Sequence, residues 1–103
     1  MNKKKFEGRR KQLVEFLKSS AAVKSRAVEN AFAKVKRDAF VPEAYAEYAY
    51  ADDAMPNSSG QTVSQPSTIA TMLELLQAGE GMKVLEVGSG SGYVLALING
   101  LAK

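Results

Sequence analysis

The sequence has no cysteine, no histidine and no tryptophan, and only three prolines among its 103 residues. Without cysteine there is neither a disulfide framework nor a thiolate metal site. Without histidine, imidazole acid–base chemistry and the usual zinc clusters are excluded within the chain. No apolar run reaches about 18 residues, so no transmembrane helix and no membrane partner are expected. The polar, basic start from Met1 to Lys11 lacks the apolar stretch of a secretory signal. A cytoplasmic protein is the expectation. What is present is a globular balance, 46% hydrophobic and 24% charged, which can bury a core. At this length one small domain is the ceiling, and its stability is marginal.

Charge is spread unevenly. Residues 1–40 carry twelve Lys or Arg against four acids, whereas residues 41–103 carry two Lys against seven acids. The basic density peaks at Lys3, Lys4, Lys5, Arg9, Arg10 and Lys11. Such a cluster suits a nucleic-acid or anionic surface, or simply a solvated helix face. No aromatic interleaving or nucleic-acid motif accompanies it, so the solvated face is the preferred reading and no nucleic-acid partner is expected.

Periodicity predicts helices first and one strand later. Phe6, Leu13, Phe16 and Leu17 sit at mostly helical spacing, predicting an amphipathic helix over 4–18. Ser25 suits the N-cap of a second helix, whose apolar stripe is Val23, Ala27, Val28, Ala31, Phe32 and Val35. Phe40-Val41-Pro42 is expected to end it, since proline disfavours helix in the residue before it. Residues 43–60 are less regular. Tyr45, Tyr48 and Tyr50 read as packing residues across the first helices, with a base-stacking surface as the alternative. Asp52-Asp53 reads as a solvated turn or, less commonly, half of a metal site. A third helix starts near Pro66, runs through Ile69, Met72, Leu73 and Leu76, and stops at Gly79.

Lys83-Val84-Leu85-Glu86-Val87 then reads as a short buried parallel strand. Gly88-Ser89-Gly90-Ser91-Gly92 follows, and Tyr93 to Ile98 predicts another helix that weakens at Gly100. Strand, glycine loop and helix open a nucleotide-binding α/β unit. Glycines permit close backbone approach to a ligand, and the helix behind them offers free N–H groups. The loop is not the dinucleotide fingerprint, whose third glycine would fall on Tyr93, and no G-K-[ST] marks a P-loop. Glu86, just before the glycines, would repel a pyrophosphate but could accept hydrogen bonds or attract a cation. Together these features suit a nucleoside ligand without a polyphosphate, and S-adenosylmethionine fits. The competing reading is a flexible turn.

At these residues the chain resembles the N-terminal part of the protein-L-isoaspartate (D-aspartate) O-methyltransferase family. Five segments carry the resemblance in order: Val35 to Pro42, ending in Phe-Val-Pro; Tyr50 to Pro56; Gly60-Gln61-Thr62-Val63-Ser64-Gln65-Pro66; Met72 to Leu76; and Val84 to Tyr93. It extends from about Leu13 to the end. The Gly60–Pro66 segment is the specific part, with Val63 where the family usually has Ile. The glycine segment alone indicates only a methyltransferase superfamily. Ser67 departs from the family, which often has His or Tyr there, and this bears on substrate contact.

The resemblance implies an α/β fold: N-terminal helices over 1–60, then over 61–103 the first strand, glycine loop and helix of a Rossmann-like S-adenosylmethionine-dependent methyltransferase domain. It implies protein repair by methyl transfer from S-adenosylmethionine to the free α-carboxylate of an L-isoaspartyl residue in proteins or peptides. Ser64 matches the family's active-site serine; its residue-level alternative is a turn or cap hydroxyl before Pro66. Gln61, Thr62 and Val63 match the strip against substrate. Glu86, Gly88, Ser89, Gly90, Ser91 and Gly92 match the cofactor site. No metal is implied. An acidic residue for the ribose normally lies about 20 residues past the glycines, beyond Lys103. The expectation is therefore a truncated domain with unpaired strand edges, which favour self-association. The alternative is a non-catalytic binding module that pairs with another chain.

Overall fold

A computed structural model describes residues 3–56, 62–76 and 92–102 of the chain. The first helix, α1, spans Lys3–Ser19 and buries Leu13, Val14 and Leu17. Phe16, on the neighbouring face, remains 48% exposed. The helix ends through main-chain bonds from Ser20 to Phe16 and from Val23 to Leu17, around Ala21 at φ 64°.

The second helix, α2, spans Arg26–Lys34. Ser25 is its N-cap, and the Ser25 hydroxyl accepts from the Val28 amide at 3.3 Å, satisfying one of the helix's orphan donors. Two further amides lie just outside the helix, on Lys24 and Ser25. Both donate to one Glu74 carboxylate oxygen, at 2.6 and 2.7 Å. The helix stops at Lys34, because Val35 is already extended at φ −79°, ψ 128°. Phe40-Val41-Pro42 is thus not its terminator. A separate 3₁₀ turn, Arg37–Phe40, lies between them, and this break lets Arg37 turn into the core.

A second 3₁₀ stretch spans Glu43–Tyr48. Of the three tyrosines nearby, only Tyr50 packs inward; Tyr45 and Tyr48 are 42% and 58% exposed. A short antiparallel ribbon follows, β1 (Met55–Pro56) with β2 (Thr62–Val63), in the register Met55 to Val63 and Pro56 to Thr62. Helix α3 spans Pro66–Leu76 and buries Pro66, Ile69, Ala70 and Leu73. Met72, Leu75 and Leu76 are 62%, 79% and 46% exposed. The expected stop at Gly79 and the expected strand over 83–87 lie outside the described residues.

Helix α4 spans Tyr93–Ala102 and runs through Gly100 instead of weakening there. A Cβ at Gly100 would stand 3.9 Å from that of Ala31, where α4 passes α2. Leu17, Phe32, Ile69, Ala70, Tyr93 and Leu97 are each no more than 2% exposed and belong to one core cluster. Burying a leucine or phenylalanine contributes about 1.5–3 kcal/mol relative to exposure. Elements from both sides of residue 60 therefore depend on the same apolar contacts.

Candidate functional site

The ribbon sets the surroundings of Ser64. Thr62 is exposed, Val63 is 2% exposed and Ser64 is exposed. This is the alternation of a half-buried strand. Val63 anchors the segment in the core, and Ser64 stands on the solvent side one residue past β2. Gln61 lies outside the described residues.

The start of α3 fixes the other side of Ser64. The Gln65 carbonyl accepts the first helical bond, from Ile69 at 3.1 Å, which makes Gln65 the capping position. Pro66 has no N–H to satisfy, but Ser67 has one with no partner inside the helix. Asp52, distant in sequence, supplies it: its Oδ1 accepts from the Ser67 amide at 2.8 Å and its Oδ2 from Gln65 Nε2 at 3.2 Å. A carboxylate at a helix N-terminus contributes roughly 0.3–1 kcal/mol. Asp52 is therefore an anchored turn residue and not a solvated one. Among the described residues no group of three acidic or other ligand side chains could hold a metal ion.

Asp52 also borders a groove of about 420 Å³ between α1 and residues 47–52, whose lining includes Arg9, Leu13, Phe16 and Tyr50. Part of the basic helix face closes this end of the molecule. Arg9 donates to the Glu47 carbonyl at 2.7 Å, and Arg10 donates to the Tyr50 hydroxyl at 3.2 Å. Tyr50 in turn donates to an Asp38 carboxylate oxygen. Burial, with help from Asp38, pushes the Tyr50 hydroxyl above its ordinary pKa.

Of the glycine loop, the structure describes Gly92. Its φ of +86° is a conformation that favours glycine over any residue with a Cβ. A Cβ there would lie 3.7 Å from the Phe40 ring. Glu86, Gly88, Ser89, Gly90 and Ser91 lie outside the described residues. Immediately after Gly92 comes Tyr93, 1% exposed, with its ring centroid 5.7 Å from that of Phe40 and 6.4 Å from that of Phe32. Burial raises the Tyr93 pKa far above its ordinary value, so the hydroxyl stays neutral; nearby Arg37 opposes this only in part.

Arg37 is the residue that the sequence hides best. Counted by composition it is one more cation of the basic half, yet it is 0% exposed. Its Nε donates to the Ala49 carbonyl at 2.7 Å, and its Nη2 donates to the Asp53 carbonyl at 3.0 Å. Its Cζ lies 5.0 Å from the Tyr93 ring centroid. Desolvation lowers its pKa, against smaller raising effects from Tyr93, Asp52 and Tyr50. One signal in the sequence marks it: it opens the short Arg37–Phe40 run before Val41-Pro42.

Comparison with known proteins identifies the family and the fold. The family model "Protein-L-isoaspartate(D-aspartate) O-methyltransferase (PCMT)" matches residues 8–103. A protein-L-isoaspartate O-methyltransferase of Pyrococcus horikoshii is 44% identical over 103 residues, covering 100% of this chain and 47% of the relative. One from Methanopyrus kandleri is 47% identical over 100 residues, covering 97% of this chain and 44% of the relative. A solved protein-L-isoaspartate O-methyltransferase structure superposes with a TM-score of 0.78 at 30% identity, covering 91% of this chain and 31% of that one. The chain thus spans about half the length, or less, of these relatives. The fold is that of the family's N-terminal part: helices leading into an α/β methyltransferase domain. By sequence and by structure, the chain belongs to the protein-L-isoaspartate(D-aspartate) O-methyltransferase family.

Proposed function

We propose that this chain contributes the N-terminal half of a repair methyltransferase site, acting on the α-carboxylate of L-isoaspartyl residues in proteins and peptides. The observation that carries this reading is Ser64, solvent-facing and held between the core residue Val63 and the Asp52-bound start of α3. In the same reading, 1–60 is the helical region, and 61–103 begins the cofactor-binding domain.

S-adenosylmethionine, when bound, supplies an activated methyl group and takes up the departing electron pair on its sulfur. The described residues fit such a ligand. Gly92 takes the backbone conformation that a close-fitting loop needs, and α4 begins directly behind it with ten residues and no acid in its first turn. Gly88, Ser89, Gly90, Ser91 and Gly92 would line the loop, and Glu86 would accept hydrogen bonds or face the cation.

The chain's own residues need no acid–base chemistry. A carboxylate is already nucleophilic, so the task is alignment, which contributes several kcal/mol when reacting atoms are held at about 3–3.5 Å. The Ser64 hydroxyl donates to the substrate carboxylate and orients it. Thr62 and Gln61 would meet the substrate backbone, and Val63 anchors Thr62 and Ser64 from beneath. This asks nothing of histidine or cysteine, which the chain lacks.

Calorimetry of the 103-residue chain with S-adenosylhomocysteine tests the reading first. Saturable binding that Gly90→Val abolishes is the expected result. Methyl transfer to an isoaspartyl peptide, but not to its aspartyl isomer, is expected next, with Ser64→Ala lowering the rate by up to about 100-fold. A folded chain that binds nothing at millimolar ligand would overturn activity in this chain. It would favour the second reading, a non-catalytic module that pairs with another chain, which the exposed Met72, Leu75 and Leu76 of α3 support.

A further inference from the structure

Arg37 lies fully inside the core, yet its hydrogen bonds among the described residues go to main-chain carbonyls, and Asp52 acts on it only through its charge. Taking a guanidinium out of water is costly, and an apolar side chain of similar volume would fill the space without that cost. What the guanidinium adds is geometry. Its rigid fork grips the carbonyls of Ala49 and Asp53, which bracket Asp52. Asp52 in turn holds Gln65 and the Ser67 amide, one and three residues from Ser64. The same guanidinium lies 5.0 Å from the ring centroid of Tyr93, within cation–π range. Tyr93 is the residue directly after the glycine loop. The remaining nitrogen, Nη1, is buried and meets no hydrogen-bond acceptor among the described residues, while the Tyr93 hydroxyl also interacts with the guanidinium by charge and a side-chain hydrogen bond. The side chain is thus placed by its two carbonyls and one ring, not by full satisfaction of its donors.

We propose that Arg37 is a positioning residue. It holds the turn that carries Asp52, and hence the Ser64 segment, in fixed register with Gly92–Tyr93 at the end of the glycine loop. That these two ends belong to one methyl-transfer site rests on the proposed function; the mechanical link between them is a property of this chain's fold.

Amide hydrogen exchange on the 103-residue chain tests the link without any ligand. Two amides report on its two ends: Ser67, bonded to Asp52, and Ala96, which donates to the Gly92 carbonyl at 2.9 Å. Arg37→Met is expected to speed exchange at both by about tenfold or more, while Leu17 in α1 keeps its protection. Arg37→Lys retains a charge near Tyr93 but lacks the rigid planar fork that meets both carbonyls in one geometry, so it is expected to restore Ala96 and leave Ser67 fast. Equal acceleration at Leu17, Ser67 and Ala96 would make Arg37 a general prop of the core and overturn the proposal. So would an unchanged Ser67. If Arg37→Met does not fold by circular dichroism, Arg37→Lys decides, and a Ser67 amide as slow as in the unaltered chain overturns the link. Failure of the proposed function shows elsewhere, as absent methyl transfer by the unaltered chain.

Discussion

Ala21 is the only non-glycine residue with positive φ among the described residues, at 64°. It sits past the end of α1, where Ser20, Ala21 and Val23 donate back to Phe16, Lys18 and Leu17 at 3.0–3.1 Å. An L-residue in this left-handed conformation costs about 1–2 kcal/mol through its Cβ, and glycine pays nothing there but loses more freedom on folding. Ala21→Gly is therefore expected to stabilise the chain by about 0.5–1 kcal/mol. The measurement is urea unfolding: the midpoint should rise with an unchanged slope. A lower midpoint would show that the unfolded-state entropy of glycine outweighs the relieved strain.

Among the elements, α2 and α3 are tied by a carboxylate. Burial alone would raise the Glu74 pKa, but the amides of Ser25 and Lys24 and the Ser25 hydroxyl together bring it below the usual 4.5. A depressed carboxylate contributes stability that is present above its unfolded pKa and lost as pH falls through its folded one. The chain should therefore lose stability below about pH 4.5 through this group. Glu74→Gln should be less stable at pH 7 and lose less between pH 7 and pH 3, as read from urea midpoints at the two values. Parallel curves for the two proteins would show that the carboxylate's charge does not matter. The sequence shows each helix but not this tie. Period and caps place α1, the Ser25 start of α2 and the Pro66 start of α3, because those signals are local. Asp52 and Glu74 cap helices 15 and 49 residues away, and no window along the chain contains both partners. Arg37 looks like a surface cation because composition cannot register burial. Met72 and Leu76 obey the helical period yet stay exposed, since periodicity marks a face and not what covers it. Ser64 is legible only through the Gly60–Pro66 segment; its residue type alone suits any turn.

At the scale of the molecule, the core cluster joins residues from Leu13 to Leu101, so packing does not separate the residues before position 60 from those after it. No helix among the described residues is long and apolar enough to cross a membrane. The Glu74 tie also bears on the order of events. Bringing Glu74 to Ser25 closes a loop of 49 residues, and the entropy of that closure must be met before the bond repays it. The α1–α2 hairpin can form from near neighbours, so docking of α3 belongs late on the folding route. Glu74→Gln should then speed unfolding and leave refolding nearly unchanged in stopped-flow denaturant jumps. Slower refolding would instead place the carboxylate in the nucleus. A single acid on a half-exposed helix would thus set how long the native state lasts once formed, and have little effect on how quickly it is reached.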